Sequence, residues 1–517
     1  MLVKHNTFTV GEIPQFFGER FDTKNKLAVK SNDGFSITWG ELNERSNKIA
    51  RLITEDFQLK KGDSVITFLH NCGQYPEIIY GIGKAGLIVA PISFRFVARE
   101  LKYAIDHSDA RAIILSESLY DVFKEIKDDI QIPPENVLII GNGELANYDN
   151  RISQKSGQNV QITAEEDDYF WMGLTGGTTG YPKAALTTHR SMVEHWRRIT
   201  IEFTVLEDDY ELICGAFYHG LGFLLGLQQL SVGGSLYICN TFNPSLVLEI
   251  IEEEKITATP MVPTMYNDIL NYPQKKDFDV TSMRVLVCAG SALLTRTKKG
   301  TIEYFSNAGL YEYYGSTEHG FFTIIKPKDQ LRKNRSCGLP FYWMQIKILD
   351  ENGNPVQQGE VGEIYKKGLL LGKEYYKNKE ATEQNFRGDW ASSGDMGYLD
   401  EEGFLYIVDR KKDMIISGGV NIFPTEIEEI LQSHPSIKEV SVVGLPDEKW
   451  GEVVSAFIVK SDQDELTQVD IVSYCDGRLA NYKKPKYIEF LDSLPKNAAG
   501  KILRRELRDL KSKSGIV

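Results

Sequence analysis

The sequence predicts an α/β protein: a large N-terminal body of parallel α/β sheets plus a small β-rich subdomain, followed by a small α+β C-terminal domain. Three features predict it. Short β-branched runs alternate with helical patterns along the N-terminal part, which is how parallel sheets covered on both faces read in sequence. After Pro340 the texture changes to short strands and turns. Beyond the charged stretch at 409–413 a compact αβ pattern follows, so the boundary is expected at Lys412, giving domains 1–411 and 412–517.

The elements follow in order. Residues 65–69 form a strand candidate, and 75–86 after them have helical spacing with Pro76 in the first turn. Residues 87–90 make the next strand, ended by Pro91, and 112–115 and 137–140 continue the alternation. The most apolar stretch, 221–239, is interrupted by Gln228, Gln229 and Gly233-Gly234, so it reads as a buried helix, a glycine turn and a core strand. A membrane span needs about 20 nearly uninterrupted apolar residues. Residues 285–288 form another buried strand. Strands at 345–349, 362–365 and 404–408 belong to the β-rich part, and a helix at 425–432 and a strand at 440–443 to the last domain. No internal repeat is present.

Charge and cysteines narrow the function. With 72 acidic residues against 59 basic ones, the net charge of −13 argues against nucleic acid as a partner. The six cysteines (Cys72, Cys214, Cys239, Cys288, Cys337 and Cys475) form no CxxC pair, which gives neither a zinc site nor a disulfide framework and suits a reducing cytoplasm. The start of the chain does not read as a signal peptide.

The sharpest motif runs from Thr175 through Gly176, Gly177, Thr178, Thr179, Gly180, Tyr181 and Pro182 to Lys183. Glycines and threonines make a poor helix but a good anion cradle, because backbone N–H groups approach oxygens closely and hydroxyls donate. It is not a Walker loop, since Gly-Lys-Ser/Thr is missing. A solvent-exposed turn is the alternative. Three further segments carry chemistry: Tyr311 to Glu318, with aromatics, a glycine and a carboxylate; Trp390 to Asp395, ending in a carboxylate suited to vicinal hydroxyls; and Leu494 to Ile502, with Lys501 at the tip of a glycine-containing turn.

Together, in this order and over nearly the whole length, these motifs resemble the adenylate-forming superfamily of acyl-CoA synthetases, peptide-synthetase adenylation domains and firefly luciferase. The resemblance implies an enzyme that makes an acyl adenylate from ATP and a carboxylic acid with Mg²⁺, then passes the acyl group to coenzyme A. It implies that the loop from Thr175 to Lys183 holds the ATP phosphates. Tyr314 lies along the adenine, with Glu312 and Tyr313 at its edge and Gly315 and Thr317 beside them. Thr175 and Glu318 reach Mg²⁺, and Asp395, assisted by Arg410, binds the ribose. Lys501 acts catalytically between the acid and the α-phosphate. His219 stands beside the acyl pocket, Gly290 and Ser291 line the acyl and adenine pockets, and Gly418 and Gly419 lie on the CoA side. Lys412 matches the pivot about which the C-terminal domain of such enzymes reorients.

The resemblance also implies that Gly315 opens the pocket floor, since acetate-specific relatives carry tryptophan at that position, while Tyr313 narrows it from another side. Gly176, Ala184, Ala216 and Ser393 depart from the commonest residues of the family without removing a charge. A monomer or homodimer acting on a fatty or related acid is the leading expectation, and a stand-alone enzyme loading an aryl or amino acid onto a carrier protein is the rival. An amino-acid substrate calls for an acidic residue near His219. Glu211 lies well before it, and Glu207, Asp208 and Asp209 read as a solvated turn.

Overall fold

The computed structural model describes residues 8–175, 183–392, 394–461, 466–496 and 502–512, with only the backbone at 175, 511 and 512. By its contacts the chain divides into two compact units: Met1–Gln345 with Lys366–Ala391, and Ile346–Tyr365 with Ser392–Val517. Lys412 lies inside the second.

The alternation read in the sequence becomes two sheets in the first unit. One has seven strands. Its parallel core runs Tyr169–Thr175, Ile88–Pro91, Ser64–Phe68, Ala110–Ser116 and Val137–Ile140, and antiparallel Lys183–Thr188 and Glu374–Tyr375 close one side. Pro91, read as ending this strand, is its last residue, opposite Thr67. The nine-stranded sheet is parallel from Leu27–Ser31 through Ser235–Ile238, Tyr210–Ile213, Ala258–Met261 and Val285–Cys288 to Gly309–Ser316. Gly320–Ile325 and Leu339–Pro340 then add antiparallel strands at one edge, and Ser36–Thr38 adds one at the other. Most of these strands are buried on both faces, as their unbroken apolar runs require.

The apolar 221–239 stretch is the helix Gly220–Ser231, a turn, and the strand Ser235–Ile238. Its two glutamines are buried yet satisfied: Gln228 donates to Thr200 Oγ1 at 2.8 Å and Gln229 to the Asp209 carbonyl at 2.9 Å. Asp209 corrects the reading of 207–209 as a solvated turn. It is buried, accepting from Arg284 Nε at 3.0 Å and Thr257 Oγ1 at 2.8 Å.

The second unit holds the strands Asp395–Leu399 and Leu405–Arg410 and most of Gln345–Leu349 and Gly362–Lys367, whose residues Gln345, Lys366 and Lys367 fall in the first; together they form the β-rich part, with the last strand extending through Arg410 rather than stopping at 408. A further sheet carries the long hairpin Ile437–Asp447 and Gly451–Lys460, against which the helix Pro424–Gln432 packs. Among the described residues no helix is long and apolar enough to cross a membrane.

Candidate active site

The glycine- and threonine-rich motif lies between two paired strands. Thr175 ends one and stands opposite Lys183, which begins the next. Gly176, Gly177, Thr178, Thr179 and Gly180, and the Thr175 side chain, lie outside the described residues. Lys183 is half-buried, and its ammonium sits 5.3 Å from the centroid of the Tyr375 ring. Tyr375 is buried, in a short strand whose partner is the Lys183 strand, opposite Ala185.

The second motif forms the end of the Gly309–Ser316 strand and the turn into Gly320–Ile325. Side chains alternate along a strand, so adjacent tyrosines take opposite environments. Tyr313 stacks on Phe321, ring centroids 3.7 Å apart, with Phe203 beyond. Tyr314 meets Phe322 edge-on at 5.2 Å, and the fully buried Lys366 places its ammonium 3.5 Å from the Phe322 ring and 5.5 Å from the Tyr314 ring. The Glu312 carboxylate is paired with the buried Lys298 at 2.6 Å. Burial pushes its pKa up and the lysine opposes the shift. Thr317 packs its methyl against Gly173, joining this turn to the strand that leads into the first motif. Glu318 is half-buried; its backbone carbonyl accepts from Gly372 N at 2.8 Å, and its carboxylate faces the Tyr375 hydroxyl. Burial first, and then Glu318, push the Tyr375 phenol far above its ordinary pKa.

Gly315 requires a correction. A Cβ there would overlap the Gly320 carbonyl oxygen and crowd the Phe321 backbone. The missing side chain therefore points at the neighbouring strand, not into an open pocket floor, and a tryptophan at this position could not act as a simple plug.

On the other side of the sheet end, Gly290 and Ser291 are exposed in the loop after the Val285–Cys288 strand. His219 caps the start of the Gly220–Ser231 helix with an extended backbone. The residue is exposed, and desolvation by the protein around it lowers its pKa. Tyr218 beside it accepts from Ser93 Oγ at 3.0 Å and meets Phe94 edge-on.

Within the second unit, Asp395 and Arg410 are direct strand partners, Arg410 Nε lying 3.2 Å from the buried Asp395 carboxylate. Gly394, Arg410, Lys411 and Lys412 line a cavity of about 310 Å³. Gly418 (φ 58°) and Gly419 (φ 79°) are the two turn residues between Ile415–Ser417 and Val420–Ile422. Two consecutive positive φ angles are the geometry of a tight hairpin, and glycine accepts them without strain. Gly418 donates to the Trp450 carbonyl at 2.7 Å. Lys501 lies outside the described residues.

Residues 19–376 match the family model described as AMP-binding enzyme, and residues 426–501 match its C-terminal domain. The chain belongs to the AMP-binding enzyme family. It is 33% identical over 519 residues to a long-chain-fatty-acid–CoA ligase of Escherichia coli, with 92% of this chain and 91% of that protein covered. A feruloyl-CoA synthase of Amycolatopsis is 30% identical, covering 92% of this chain and 94% of the relative. Among solved structures, ATP-bound MatB from Rhodopseudomonas palustris superposes with a TM-score of 0.89 at 26% identity, over 98% of this chain and all (100%) of that one. The fold is that of adenylate-forming enzymes.

Three residues of this AMP-binding enzyme went unread in its sequence. Lys298 and Lys366 are buried cations beneath the Glu312–Tyr314 segment, and Tyr375 joins Lys183 to Glu318. Strand alternation at Tyr365-Lys366-Lys367 carried a signal that one lysine faces inward. Nothing local marks Lys298 or Tyr375.

Proposed function

We propose that this AMP-binding enzyme joins a medium- or long-chain fatty acid, or a related acid, to coenzyme A. In the first half-reaction a carboxylate oxygen attacks the α-phosphate of ATP, forming acyl-AMP and releasing pyrophosphate. In the second, the CoA sulfur attacks the acyl carbon, the thiol proton is lost and AMP leaves. The observation that carries this reading is the meeting of Lys183 and Glu318 at one buried tyrosine, beside the strands that flank the glycine-rich motif.

The remaining roles complete the proposal. The backbone of Gly176 to Gly180 cradles the departing phosphates, Tyr314 lies along the adenine, and Asp395 with Arg410 takes the ribose hydroxyls. Gly290, Ser291 and His219 border the acyl group. Gly418 and Gly419 admit the CoA arm, Lys501 bridges acid and α-phosphate, and Lys412 is the pivot between domains 1–411 and 412–517. Magnesium would take an oxygen from the half-buried Glu318 carboxylate and, as the resemblance implies, one from the Thr175 hydroxyl. A magnesium ion at such a site takes its other ligands from phosphates and water. Bound there with ATP, it supplies positive charge to the phosphate oxygens. The six free cysteines support a reducing cytoplasm as the working compartment.

The test is ATP-dependent AMP release, with CoA present, over straight-chain acids of increasing length together with ferulate and several amino acids. Each buried methylene contributes about 0.8 kcal/mol, so kcat/KM is expected to rise up to about fourfold per carbon until the chain meets the pocket end. Preference for acetate or an amino acid overturns the substrate assignment, and acyl-AMP that accumulates while CoA is ignored identifies a carrier-loading enzyme instead.

A further inference from the structure

Tyr375 makes contacts that packing alone does not require. Its ring lies under the Lys183 ammonium at 5.3 Å, and its hydroxyl faces the Glu318 carboxylate. The backbone around it is fastened to the same two places. Gly372 N donates to the Glu318 carbonyl at 2.8 Å, while Lys373 N and Tyr376 N donate to the Leu186 and Ala184 carbonyls on the Lys183 strand, both at 2.8 Å. The Tyr375 amide is held by Thr382 Oγ1 at 3.0 Å. A Cβ on Gly372 would overlap the Glu318 carbonyl, so the close approach of this segment needs that glycine.

The geometry points to Tyr375 as a positioning residue that sets the separation between Lys183 and Glu318, and so matches them to the phosphates and the metal of ATP. A tyrosine is a rigid body with two side-chain torsions. Its π-face attracts a cation and its hydroxyl donates to an anion. One buried ring therefore orients two opposite charges, one at the start of the Lys183–Thr188 strand and one in the turn between Gly309–Ser316 and Gly320–Ile325. The inference deepens the proposed function, since it assumes that Mg·ATP is what Lys183 and Glu318 grip.

Two variants separate the two contacts. Tyr375→Phe keeps the ring under Lys183 and removes the hydroxyl, and Tyr375→Leu removes both. Tyr376→Phe is the control: the neighbouring hydroxyl donates to Asp109 at 2.6 Å, away from Glu318. Binding of Mg·ATP is measured by calorimetry without acid or CoA, and the magnesium dependence of pyrophosphate release is measured separately. For Tyr375→Phe the magnesium concentration at half-maximal rate is expected to rise about tenfold, the scale of one hydrogen bond to a charged group, with the KM for acid and for CoA unchanged. Tyr375→Leu is expected to weaken ATP binding by a further factor of about three at saturating magnesium. A Tyr375→Phe enzyme with the wild-type magnesium dependence overturns the inference. So does a loss that tracks the melting temperature and falls equally on all three substrates. Wild-type enzyme that binds no Mg·ATP removes the proposed function itself, whereas wild-type binding with an unshifted Tyr375→Phe removes only this inference.

Discussion

Glu211 shows how far one side chain can depart from its sequence appearance. It is buried in the Tyr210–Ile213 strand, and among the described residues its Oε2 has no hydrogen-bond partner. Burial, with Asp209 adding to it, pushes its pKa up from 4.5 to about 8. Below 4.5 the group is protonated in both folded and unfolded states, so it costs nothing. Between 4.5 and 8 the unfolded chain ionises while the folded one holds its proton, so stability falls as pH rises. Glu211→Gln cannot titrate. The wild type is therefore expected to lose up to about 1.4 kcal/mol per pH unit relative to this variant across that window, with a constant difference above it. Denaturation midpoints of both proteins from roughly pH 5 to 9 check this; parallel curves refute it. The same neighbourhood shows a limit of sequence reading. Glu207-Asp208-Asp209 looks solvated because acidic runs usually are, and only the fold brings Arg284 to Asp209.

At the scale of elements, the parallel strands were the most legible part. The runs at 137–140 and 285–288 are strands with those same bounds, because a strand buried on both faces must be apolar throughout. The appended antiparallel strands were less so. Gly320–Ile325 borders the parallel core and makes Gly315 a close-approach position, which residue identity alone does not reveal. Gly315→Ala is accordingly expected to destabilise the protein by about 1–3 kcal/mol, the usual cost of overpacking, and to slow adenylation of every acid alike. A chemical denaturation curve and kcat/KM across the acid series test both statements. A changed chain-length profile at unchanged stability would place the glycine against the acyl group after all. Of the site, the motifs and their order were readable, but the lysines and the tyrosine beneath them depend on which strands become neighbours.

For the whole molecule, the proposed alternation between half-reactions rests on Lys412. This residue lies in the turn after Arg410, and among the described residues its amide donates to no backbone oxygen, so proline removes no such bond there. Proline fixes φ near roughly −65° and so denies a pivot its range. Lys412→Pro is expected to keep pyrophosphate release while thioester formation falls by an order of magnitude or more, read by following the two half-reactions separately; normal thioester formation places the pivot elsewhere. The path of the chain adds one more consequence. The second unit is assembled from Ile346–Tyr365, joined at both ends to the first, and from Ser392–Val517, joined at one. Cutting the backbone at the last of these three joins makes two polypeptides on a denaturing gel but leaves them interlocked by non-covalent packing, since the second unit keeps a segment in each.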